Sequence, residues 1–159
     1  MKTLLLYLLF TYLALSVQAI FFEGIKPDFV LVLICFYSLK YGQTRGMTYG
    51  ALSGLLIDTA SGIILGPHII SNAIAGFLIG TLKEQLFQWN VFINSLVIAI
   101  FSVINIILIY LILETFSEVS FVNRSLEISI MEIIYTIIAS LILYPFFKPH
   151  KDGIGASSL

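Results

Sequence analysis

Charge, cysteine, histidine and tryptophan are all scarce in this chain. Its 159 residues carry eight Lys and Arg, nine Asp and Glu, two His, one Cys and one Trp, for a formal net charge of -1. With no basic excess to neutralise phosphates, nucleic-acid binding is excluded on electrostatic grounds. The lone Cys35 lies in an apolar run, so an intrachain disulfide and a cysteine zinc site are both excluded, and the residue reads as packing or lipid-facing filler. A Gly-rich phosphate loop, a nucleophile elbow, a His pair at metal spacing and paired carboxylates on one helix are also missing, so neither catalysis nor a cofactor is expected.

What is abundant is apolar surface. Hydrophobic residues make up 59% of the chain and the mean hydropathy is +1.04. That composition excludes an ordinary soluble domain and predicts an all-α polytopic membrane protein. Charges and helix breakers divide the chain into six expected spans: Thr3 to Phe22, Phe29 to Tyr41, Gly46 to Ser61, Pro67 to Leu82, Val91 to Leu113 and Ile128 to Phe147. The first, fifth and sixth hold 20, 23 and 20 residues, enough to cross a hydrocarbon layer of about 30 Å. The second, at 13 residues, must be short or sheltered by its neighbours. Gly62 and Gly66, followed by Pro67, predict a tight helical hairpin between the third and fourth. One transmembrane domain over residues 1–148 and a cytoplasmic tail over 149–159 complete the expected organisation.

Positive charge sets the expected orientation. With the N-terminus inside, Lys2, Lys40, Arg45, Lys83, Lys148 and Lys151 fall on the cytoplasmic side, and only Lys26 and Arg124 fall outside. Six spans with both termini cytoplasmic satisfy this bias. The first segment also has the outline of a cleavable signal peptide ending near Ala19, but its apolar run of 20 residues exceeds a usual signal core, and retention is the reading adopted.

Eight of the eleven glycines lie between Gly42 and Gly80. Gly42, Gly46, Gly50 and Gly54 recur every four residues, and Gly76 and Gly80 do so in the next span. That spacing strips side chains from one helix face and lets another backbone approach, so these six positions are expected to pack helices within the bundle or to contact a partner. Asp58 continues the series and should point into the bundle. Folding the hairpin brings it level with Ser71 and Asn72, and Ser61 level with His68, which predicts a polar cluster of Asp58, His68, Ser71 and Asn72. It reads either as a site for a ligand, proton or partner, or as an interhelical bond or cap that pins the hairpin. Asn105 and Ser102 lie mid-span, and Glu132 reads as reaching the interface or, alternatively, as a second carboxylate of the cluster. Trp89, Tyr41, Tyr144 and Tyr12 read as anchors or bundle contacts, and Asn123-Arg124-Ser125 matches a glycosylation tripeptide.

Pro27-Asp28 opening the second span, then Gly42, Gly46, Gly50, Gly54-Leu-Leu-Ile-Asp58, Gly62, Leu65-Gly66 and Gly76-Phe-Leu-Ile-Gly80, resemble the rod shape-determining protein MreD family. The resemblance extends over the chain in length and span number, its specific part lies between Pro27 and Gly80, and Pro67-His68 departs from the small or apolar residues usual after Gly66. It implies a non-catalytic scaffold subunit of the bacterial elongation machinery, resident in the cytoplasmic membrane and in contact with its lipid, that helps organise lateral peptidoglycan synthesis. It further implies a fold similar to the substrate-binding membrane subunits of vitamin transporters, and partnership with MreC above all, then MreB, RodA and a penicillin-binding transpeptidase. Homo-oligomerisation stays open. The alternative reading is a substrate-binding subunit of a small-solute transporter.

Overall fold

The computed structural model describes residues 2–22, 24–62, 65–85, 90–116 and 126–147, and these form six helices. They are α1 (Lys2–Phe21), α2 (Phe29–Tyr41), α3 (Gln43–Ser61), α4 (Pro67–Gln85), α5 (Val91–Phe116) and α6 (Leu126–Phe147). Each coincides closely with one expected span. Three of them, in α1, α5 and α6, are long and apolar enough to cross a membrane by length and composition. Trp89, the Asn123-Arg124-Ser125 tripeptide, Glu118, Arg124, Lys148 and the tail from 149 lie outside the described residues.

The short α2 is the axis of the fold. Every residue from Val30 to Leu39 is buried, as suits a helix that is apolar all round. Each of the other five helices packs against it. Around it run α1, α3, α4, α5 and α6 in that spatial order, each touching the next, but α1 makes no packing contact with α6 or α5 among the described residues. The ring is therefore open on one side, between α1 and the α5–α6 pair. Leu31, Cys35, Leu39, Ile79, Ile98 and Phe101 form the main core, which places Cys35 in helix packing and not toward lipid. Tyr7, Tyr37 and Tyr49 anchor a second cluster toward the opposite face of α2, with the Tyr41 ring packed at a tilt against Tyr37 at its margin. Tyr144 is buried and Tyr12 points outward.

The glycine series holds α3 to α4. A Cβ on Gly46 would collide with the Gly76 carbonyl, one on Gly50 with the Asn72 carbonyl, and one on Gly54 with the His68 carbonyl. Gly76 meets Gly46 reciprocally, and Gly80 meets the backbone of Gln43 and Gly42. Five of the six glycines expected to pack or to meet a partner are thus spent inside the chain. Gly42 differs: nothing lies near its missing Cβ, and its φ of +86° turns the chain from α2 directly into α3. Gly62, at φ +66°, ends α3 in the left-handed conformation, and Gly66, at φ +133°, precedes Pro67 at the first turn of α4.

Candidate functional site

At the end of α3, the Asp58 side chain is almost wholly buried yet fully engaged. Its carboxylate accepts hydrogen bonds from the backbone N–H of Gly66 at 2.8 Å, His68 at 3.1 Å and Ile69 at 3.2 Å. The His68 ring nitrogen Nδ1 lies 2.7 Å from Asp58 Oδ1. The first amides of a helix have no partners within it and carry a partial positive charge, so a carboxylate there satisfies both needs. Asp58 acts as a cap supplied from the neighbouring helix.

The expected polar cluster therefore divides. Asp58 and His68 meet directly, whereas Ser71 donates toward the His68 carbonyl at 3.5 Å and neither Ser71 nor Asn72 bonds to Asp58. The turn is sharp enough to bring orphan amides within reach of the carboxylate before it can extend to side chains a turn further along α4. The Asn72 backbone lies against Gly50, and its buried Oδ1 has no hydrogen-bond partner among the described residues. Ser61 bonds back to the Asp58 carbonyl and not to His68.

The larger polar feature centres on Asp28, two residues after an exposed Lys26. Asp28 caps α2, accepting the Leu31 N–H at 2.8 Å through Oδ1. Its own N–H donates to Thr136 Oγ1 at 2.9 Å, and its Oδ2 accepts from Asn105 Nδ2 at 3.3 Å. Gln18 of α1 donates to the Pro27 carbonyl. Asn105 and Thr136 lie near the middle of α5 and α6, so the Pro27-Asp28 link dips to the interior of the bundle before α2 begins. This accounts for the shortness of α2.

The dip leaves a cavity of about 220 Å³. Asp28, His68, Asn105 and Glu132 contribute polar groups to its wall, Lys26 contributes a cation, and Val30, Ile57 and Ile106 contribute apolar surface. Glu132, half-buried, lines this cavity together with His68, while Asp58 does not. Asn105 is only 4% exposed, and its Oδ1 has no hydrogen-bond partner among the described residues. Three helices and one link supply these polar groups, so spacing along the chain could not assemble them. The usable signals were Pro27-Asp28 ahead of a span too short to cross, and an asparagine in mid-span. Such an arrangement can hold a small ligand rich in hydrogen-bond donors. Among the described residues, no group of three or more His, Cys, Asp or Glu is placed to hold a metal ion.

Compared with known proteins, the chain is matched over residues 1–149 by the family model described as rod shape-determining protein MreD. No curated protein and no solved structure matches it.

Proposed function

We propose that this chain, which belongs to the MreD family of rod shape-determining proteins, is a non-catalytic scaffold subunit of the bacterial elongation machinery. The family match over residues 1–149 carries this reading. It resides in the cytoplasmic membrane as one six-helix domain over residues 1–148, with both termini and the tail over 149–159 on the cytoplasmic side. It helps organise lateral peptidoglycan synthesis by holding other membrane components in register, MreC first among them, with MreB, RodA and a penicillin-binding transpeptidase in the same assembly.

The packing supports a role exercised through helices. Five glycines of the close-packing series are consumed between α3 and α4, which joins these two helices closely along their length and leaves the outward apolar surfaces of the bundle, those of α5 and α6 among them, to meet other proteins. Ile107, Leu111, Ile138 and Ile142 are among the large apolar side chains presented there.

The test is complementation of a rod-shaped bacterium lacking its own family member, combined with purification of the tagged full chain from mild detergent. Restored rod shape and recovery of wall-elongation proteins are expected. Recovery of an energising ATPase module without them would replace the scaffold with a transporter subunit.

A further inference from the structure

The cavity beside Asp28 has more acceptors than the protein supplies donors. An ionised carboxylate offers about four acceptor positions, and that of Asp28 receives the Leu31 amide and the Asn105 side-chain amide. Asn105 lies on the same wall, and its deeply buried Oδ1 receives nothing among the described residues. A buried carbonyl left unpaired costs about 1–3 kcal/mol, so a molecule bringing an N–H donor to that point is favoured. The Asp28 carboxylate, on a wall shared with Lys26 and His68, favours a donor that is itself positively charged.

The polarity of the site is ordered from inside to outside. Asn105 is buried and Asp28 half-buried, while Lys26 is exposed. A ligand with an ammonium at one end and an anionic group a few bonds away matches that order. At about 30 Å³ per water, 220 Å³ corresponds to about seven waters, the size of a small headgroup and too little for an acyl chain.

Beside this cavity the ring of helices is open. Phe21 and Phe22 at the end of α1, Ile25 in the link and Tyr135 on α6 line a separate apolar recess. It adjoins the polar cavity through the chain itself: Ile25 precedes Lys26, and Tyr135 lies one turn from Glu132. An apolar recess borne on the same segments as a polar pocket, on the open side of the helix ring, is suited to a lipid whose chains and headgroup need different surroundings.

We propose that the cavity binds a phosphoethanolamine headgroup presented by a membrane phospholipid, with the ammonium at Asn105 and Asp28, the phosphate toward Lys26 and the acyl chains in the gap between α1 and α6. This site is separate from the scaffold reading and does not depend on it.

The test uses the full chain purified in mild detergent, exchanged into an equimolar mixture of phosphatidylethanolamine and phosphatidylcholine with the same acyl chains, and weighed intact with its retained lipid by native mass spectrometry. Choline carries no N–H donor, so phosphatidylethanolamine is expected to be retained at least tenfold over phosphatidylcholine. Asn105→Leu and Lys26→Gln should each reduce that ratio fivefold or more, and Lys26→Arg should preserve it. Lys26 is exposed, so its variants report even if Asn105→Leu fails to fold. Equal retention of the two lipids by the unaltered chain, or an unchanged ratio in Lys26→Gln, overturns the proposal. Displacement of the bound lipid by millimolar free phosphoethanolamine overturns the lipid as source and assigns the pocket to a soluble solute.

Discussion

His68 Nδ1 and Asp58 Oδ1 meet at 2.7 Å across the turn between α3 and α4, and the same carboxylate binds the first free amides of α4. One side chain thereby fixes where α4 starts and how it is directed. Because α3 and α4 are also joined along their glycines, the carboxylate and the close packing act on the same hairpin from its tip and along its length.

Asp58→Ala is expected to lower stability by about 2 kcal/mol or more, since several charge-assisted hydrogen bonds are lost and amides are left unpaired. Asp58→Asn keeps one acceptor oxygen and should lose about half as much. Membrane abundance and thermal unfolding in detergent measure both, and Asn should retain most rod-shape complementation. Complete loss of complementation in both variants at normal abundance would show that the negative charge itself is required.

Gly50→Ala and Gly54→Ala reverse the usual sign. Replacing glycine by alanine inside a helix ordinarily favours the helix by about 1 kcal/mol. Here the added methyl would strike the Asn72 or His68 backbone carbonyl, which no rotamer change can move aside. Both variants should therefore melt at lower temperature than the parent, whereas Ala60→Leu, on the exposed side of α3, should change little. Unchanged or raised melting in both glycine variants would refute the close packing of α3 on α4.

Tyr49 ties three helices together near the other end of the bundle. Its hydroxyl lies 2.6 Å from Thr11 Oγ1 and 3.3 Å from the Tyr7 carbonyl, while its ring packs 4.5 Å from that of Tyr37. Tyr49→Phe should cost about 1 kcal/mol through the lost hydroxyl. Tyr49→Ala should cost about 3–5 kcal/mol through the cavity it leaves. Thermal unfolding that ranks the two variants equally would show that the ring contributes nothing beyond its hydroxyl.

Orientation is tested by reporter fusions. Fusions at Arg45, Lys83 and the C-terminal tail should read cytoplasmic, and those at Gly24 and Ser120 should read external, following the distribution of Lys and Arg. An external signal at Lys83 together with an internal one at Ser120 rejects the six-span topology.

Helix number and helix limits were legible in the chain itself. Hydropathy, Gly62, Pro67 and the scarcity of charge act locally, so α2 and α4 begin at Phe29 and Pro67 as expected, and the remaining limits shift by a turn or less. The glycine period likewise announced a close helix contact, because removing side chains every four residues creates one bare face wherever the helix goes. Which backbone fills that face is a tertiary matter, and α4 fills it. Asp58 was visible as a buried carboxylate, but its partners are amides exposed by the turn geometry and not the side chains that helical register placed opposite. The cavity was the least legible feature. Asp28 stood in the sequence as the residue opening a short span, and only the dip of its link to the level of Asn105 and Thr136 turned it into the centre of a polar pocket. Local preferences decide where helices start and stop. The meeting of residues separated by 77 and 108 positions is decided by how six helices share one interior.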